Sequence, residues 1–131
     1  MADERRLGLS VSQDEVDFLM EAGFIYRDAG KYQEARDVFR GVMALRPNSE
    51  IPQVAIGTTL FVEGKLDEAV EAYAAALEKQ PESAYAFAHL GEALFMKKEF
   101  EAAKEKLNRA VELDLDGPYA KMARSILEVI P

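Results

Sequence analysis

Apolar residues along this chain recur at three- and four-residue spacings, the period of one face of an α-helix. Val16, Leu19, Met20, Gly23, Phe24 and Tyr26 form one such stripe, and Tyr32, Ala35, Phe39, Val42, Met43 and Leu45 form the next. Ahead of the first stripe stands Ser12-Gln13-Asp14-Glu15. It has the form of a capping box, in which the serine hydroxyl takes an orphan amide and the glutamate reaches back to the cap amide. Gly30 suits the left-handed residue that ends a helix cheaply, and Pro47 cannot continue one. The pattern predicts a helical hairpin whose first helix ends near Ala29, with Asn48 and Ser49 available as caps for the next helix.

The same hairpin returns 34 residues later, and then again. Gly23, Gly57 and Gly91 share a register, as do Ala35, Ala69 and Ala103, then Phe39, Tyr73 and Leu107, then Val42, Ala76 and Ala110. A fixed period of this length signals a stack of identical supersecondary units. The second copy opens with Glu50-Ile51-Pro52, turns at Gly64 and stops at Pro81; the third starts at Ser83 and runs to about Leu115. Lys98 stands where the first two copies have glycine, which should cost up to about 1 kcal/mol if that residue is left-handed. Leu115 replaces the closing proline, and the punctuation moves to Asp116-Gly117-Pro118. Beyond it, Tyr119, Met122, Ala123, Ile126, Leu127 and Ile130 line one side of a last helix from Pro118 to about Ile130, the cover that a stack needs on its final apolar face. The shared glycines and alanines read as packing positions where helices cross closely; leucine at Gly57 or Ala69 should overpack the core by about 1–3 kcal/mol.

The expected organisation is an arm over residues 1–11 and a single domain over 12–131, with repeats at about 16–49, 50–83 and 84–117 and a capping helix at 118–130. In the arm Leu7, Leu9 and Val11 alternate with Gly8 and Ser10, which suits either a frayed terminus or an extended arm packed on the chain's own groove or on a second copy. Composition removes several functions. With no cysteine there is no disulfide, thiol catalysis or thiolate zinc site. A net charge of −8, from 24 acidic and 16 basic side chains, argues against nucleic acid, since the basic spots Arg36/Arg40/Arg46 and Lys97/Lys98 are interrupted by acids. No apolar run approaches the roughly 20 residues of a membrane span. Met1 to Gly8 lacks the apolar segment of a signal peptide, so the cytoplasm is the expected compartment.

Residues 16–115 resemble three consecutive tetratricopeptide repeats, because the small, aromatic and proline positions agree together in two or three copies. The departure is at the first aromatic position of the family, where Leu19, Gln53 and Phe87 stand. The resemblance implies an all-α fold of seven helices, three hairpins and a capping helix wound as a right-handed superhelix. It also implies a non-enzymatic binding module whose first helices line a concave groove for a partner. On that basis the expected partner-binding residues are Met20, Phe24, Arg27, Val54, Thr58, Phe61, Tyr85, His89, Glu92 and Phe95. One subclass grips the C-terminal carboxylate of heat-shock chaperones with lysine, asparagine and arginine. Met20, Phe24, Ala55, Tyr85 and His89 hold those places here, so that function is not expected.

An apolar groove in a small acidic three-repeat protein is similar to the chaperones of bacterial type III secretion, which hold needle or translocator subunits before export. The run Gly23-Phe24-Ile25-Tyr26-Arg27-Asp28-Ala29-Gly30-Lys31-Tyr32-Gln33-Glu34-Ala35, with Ala44-Leu45-Arg46-Pro47-Asn48-Ser49, looks like the needle-chaperone branch. The expected partner is an amphipathic helix or hydrophobic peptide, such as a secreted needle or translocator subunit. The alternative is a scaffold or assembly adaptor, weakly self-associating through the Leu7–Val11 arm or the Tyr119–Ile130 helix. No enzyme, cofactor or metal is expected. The chain has one histidine, His89 beside the groove, and the serines Ser12, Ser49 and Ser83 sit at helix caps. Its glycines are isolated and form no phosphate-cradling loop.

Overall fold

The computed structural model describes residues 10–131, and the expectation for Leu7 and Leu9 lies outside them. Among the described residues there are seven helices: α1 (Gln13–Asp28), α2 (Tyr32–Leu45), α3 (Ile51–Val62), α4 (Leu66–Lys79), α5 (Ala84–Met96), α6 (Phe100–Asp114) and α7 (Pro118–Val129). Each packs on the next, and α1 also touches α3, α3 touches α5, and α5 touches α7. The odd-numbered helices therefore form one layer and α2, α4 and α6 the other.

The local chemistry follows the sequence closely. Both halves of the Ser12–Glu15 capping box are formed. Gly30 and Gly64 turn the first two hairpins at φ +77° and +84°, and Lys98 makes the third turn at φ 65°. The lysine thus carries the left-handed strain that glycine avoids. The entry to α3 differs in detail from expectation. Glu50 is the capping residue by position, and the Ser49 hydroxyl accepts from the Ile51 amide at 3.2 Å. At the end of α6, Leu115 turns at φ 50°. The Asp114 carboxylate then caps α7, accepting from the Tyr119 and Ala120 amides at 2.9 and 3.2 Å.

Hairpin closure rests on one repeated contact. A Cβ at Gly23 would lie 2.4 Å from the Phe39 ring, at Gly57 2.3 Å from the Tyr73 ring, and at Gly91 2.5 Å from Leu107. Phe39, Tyr73 and Leu107 are fully buried. The absent side chain is what lets the two helices approach over a large partner. Tyr26 departs from its expected buried stripe and is 38% exposed, whereas its equivalents Leu60 and Leu94 are buried.

Repeats one and two are joined by polar links as well. Arg36 of α2 and Glu63 at the end of α3 form an ion pair with both side chains largely out of solvent. Arg46 donates to the Val11 carbonyl at 2.7 Å, tying the segment that enters α1 to the end of α2.

Candidate functional site

The layer of α1, α3 and α5 carries the ten residues expected at a binding groove, and the structure separates them into two groups. Val54 is fully enclosed and Met20 nearly so. This corrects their placement as contact residues. The helix α3 is flanked on both sides by α1 and α5, so its fifth repeat position is covered. Met20 sits beside Ile51 and Pro52 at the junction of the first two repeats. The other eight, Phe24, Arg27, Thr58, Phe61, Tyr85, His89, Glu92 and Phe95, are half-buried.

Two of those eight span adjacent helices. Arg27 donates from Nη1 to the Thr58 hydroxyl at 3.0 Å, and that hydroxyl donates to the Ala55 carbonyl at 2.9 Å. The guanidinium also lies 4.9 Å from the Phe24 ring centroid, a cation–π distance. Phe24 in turn stands 5.2 Å from Phe39 between centroids. Arg27 is therefore fixed by a hydroxyl and a ring.

Toward α5 the packing around these residues is aromatic. His89 stacks on Tyr73 at 5.9 Å and meets Tyr85 edge-on at 5.2 Å, and Tyr85 lies 5.1 Å from Tyr119 of α7. The His89 Nδ1 is 3.4 Å from a Glu92 carboxylate oxygen. Neither that nitrogen nor the buried Tyr73 hydroxyl has a hydrogen bond among the described residues. Burial pushes the Tyr73 hydroxyl far above the usual tyrosine range, and the Glu92 carboxylate adds to it. Burial likewise pushes Tyr85 up to about 12 and raises Tyr119. All three stay neutral at physiological pH, so the cluster carries no phenolate charge.

The C-terminal ends of α3 and α5 hold the apolar part. Phe61 and Phe95 are half-buried, with Phe95 packed 6.0 Å from Phe100. Beside them Val62 and Met96 are 52% and 53% exposed. These two were missed by sequence reasoning, although a signal existed. They share a 34-residue register directly after the two phenylalanines, where repeat one has Asp28. Ile51 adds an exposed aliphatic side chain at the other end of α3.

The places of the chaperone-binding clamp hold no cation: Met20 and Ala55 are buried, and Phe24, Tyr85 and His89 are half-buried rings. Among the described residues no group of three or more histidines and carboxylates could hold a metal ion, and no helix is long and apolar enough to cross a membrane.

Models of the tetratricopeptide repeat match residues 17–49 and 54–119. Among curated proteins, none matches the chain. Solved structures do. The type III secretion translocator chaperone SycD of Yersinia enterocolitica is 25% identical, with a TM-score of 0.80 over 91% of this chain and 92% of its own. SycD in complex with a peptide of the translocator YopD is 23% identical, with a TM-score of 0.71 over 89% and 95%. The first repeat domain of Spaghetti (RPAP3), bound to an HSP90 peptide, is 24% identical, with a TM-score of 0.72 over 90% and 94%.

Proposed function

The chain belongs to the tetratricopeptide repeat family, and on that premise we propose that its inner face is a protein-binding groove serving as a type III secretion-type chaperone. The occupant is an amphipathic helix or hydrophobic peptide of a secreted needle or translocator subunit. The observation that carries this reading is the apolar row Phe61, Val62, Phe95 and Met96, left partly or largely open at the ends of two neighbouring first helices. An open apolar patch built from successive repeats is the usual mark of a protein-interaction surface. The likeness to SycD, free and with a translocator peptide, supports the choice of partner class.

Within that groove, Phe24, Tyr85, Phe61 and Phe95 supply apolar contacts, and Arg27, Thr58, His89 and Glu92 supply polar ones. Four partner side chains buried at about 1.5–3 kcal/mol each give a gross gain of about 6–12 kcal/mol. The cost of association and ordering offsets much of it, which leaves micromolar or tighter binding. Met20 and Val54 support the groove from beneath.

The test is co-expression with the needle and translocator subunits of a type III system, followed by purification of the complex. Phe61→Glu and Phe95→Glu should keep a helical circular dichroism spectrum and lose the subunit that the unaltered chain retains. Retention of the same subunit by both variants would sink the reading.

A further inference from the structure

Among the described residues, Arg27 is the one lysine or arginine that lies on a first helix; the others occupy second helices, turns or α7. The neighbouring α3 bears no charged side chain at all. Arg27 is also held in place. Its side chain is 23% exposed, so part of its hydration is gone. Nη1 donates to the Thr58 hydroxyl, and the Phe24 ring lies under the guanidinium. Nε donates to Asp28, a neighbour in sequence whose carboxylate is 70% exposed, and so open a pair binds weakly. Nη2 makes no hydrogen bond among the described residues. Burial dominates the raised Tyr73 and Tyr85 hydroxyls, and the Arg27 charge acts on both in the opposite sense, so it stands on the side of the layer that holds the aromatic cluster. The tie to Thr58 uses one N–H and no charge, and a neutral donor would supply it. The charge itself is left without a strong partner.

We propose that Arg27 takes a side-chain carboxylate of the occupant and thereby selects it, which rests on the reading of the inner face as a protein-binding groove. The occupant is then an amphipathic helix with one acidic residue on its apolar face. Its spacing follows from the geometry. Thr58, which holds the guanidinium, is three residues before Phe61 on α3, and side chains so placed stand about 5–6 Å apart. That is roughly one turn of the occupant, so the acid lies about four residues from the apolar residue that meets Phe61. Phe61 and Phe95 share a register on touching helices, α3 and α5, whose axes in such packing run about 8–10 Å apart. A second apolar residue therefore follows about seven residues further, roughly two turns. Selection works in both directions. A guanidinium already in position loses little freedom on pairing. A purely apolar helix laid over it would strip its water and return nothing, and a basic one would be repelled. The heat-shock clamp positions are not involved, since Arg27 is none of them.

Three labelled helical peptides of about 20 residues, blocked at both ends, test this by fluorescence anisotropy with the full chain. Each carries two leucines about seven residues apart and, about four residues beyond, a glutamate, a glutamine or a lysine. The glutamate peptide should bind at least about tenfold more tightly than the glutamine peptide, and the lysine peptide should bind more weakly than either. Arg27→Glu should reverse the order and put lysine first, with a helical circular dichroism spectrum. If that variant loses helicity, Arg27→Gln, which keeps a donor for Thr58, should bind the glutamate and glutamine peptides equally. A purely structural Arg27 would weaken all three peptides together and leave their order intact, and that result overturns the proposal. Equal binding of the three by the unaltered chain also overturns it; if Phe61→Glu then abolishes their binding, the groove stands and Arg27 selects nothing. Binding of none of the three overturns it as well, and co-expression with the needle and translocator subunits then decides the groove by itself.

Discussion

Gly57 and Tyr73 form the tightest crossing in the middle hairpin: a Cβ on the glycine would stand 2.3 Å from the tyrosine ring. The ring is fully buried and carries His89 stacked 5.9 Å away, so a shift to make room would disturb packed neighbours. Gly57→Ala should therefore destabilise the fold by about 1–3 kcal/mol, the usual cost of overpacking. The shift is readable as a lower urea midpoint, and an unchanged midpoint would contradict the crowding.

The same tyrosine carries a hydroxyl that finds no hydrogen bond among the described residues. Tyr73→Phe should keep the ring packing and raise stability by about 1 kcal/mol, since an unsatisfied buried hydroxyl is a penalty removed.

Alkaline titration provides a separate check. Tyr73 and Tyr85 are raised above the ordinary tyrosine value, Tyr85 to about 12. Between the unfolded value near 10 and the raised folded values, the native state holds more protons than the unfolded state. Stability from these groups is thus complete below about pH 10 and falls as the pH rises above it. Tyr85→Phe should flatten that fall in urea midpoints taken from pH 9 to 12. An equally steep decline in the variant would show that the buried hydroxyl does not contribute.

Arg36 and Glu63 link the second helix of repeat one to the end of α3 with little solvent around either side chain. Arg36→Leu should cost about 1.5–3 kcal/mol, the range for a lost charge-assisted hydrogen bond. Measured at low and high salt, the cost should change little, because a pair shielded by protein is weakly screened.

Val62 and Met96 are open to solvent and pack little. Val62→Asp and Met96→Asp should change stability by no more than about 0.5 kcal/mol and still weaken capture of the groove's partner. Capture equal to that of the unaltered chain would remove this row from the binding surface.

The hairpins could be read from the sequence because their determinants are local. A glycine facing a large side chain, a capping box and a left-handed turn each declare themselves within one repeat, and the Lys98 turn follows the same rule at φ 65°. Exposure along the first helices is a property of neighbours. Val54 and Phe61 lie on one helix of similar amphipathic pattern, yet the first is enclosed and the second is half-open. The flanking helices α1 and α5 decide that, and their approach is not written in the period of α3. Tyr26 errs in the opposite direction: it shares the register of the buried Leu60 and Leu94 and is itself 38% exposed. Val62 and Met96 were overlooked because apolar residues in a last helical turn pass for core.

The α7 cover governs how the chain opens. In a linear array each unit is held by its own folding and by the junctions with its neighbours. The third hairpin has a junction on both sides, with α4 and with α7, whereas among the described residues the first hairpin has one junction, with α3. Amide exchange should then form a gradient, fastest through α1 and α2 and slowest around Leu107 and Ala110. The end that exposes Phe18 is then also the end expected to open first, so whatever settles there sets the lifetime of the folded stack as well as its company.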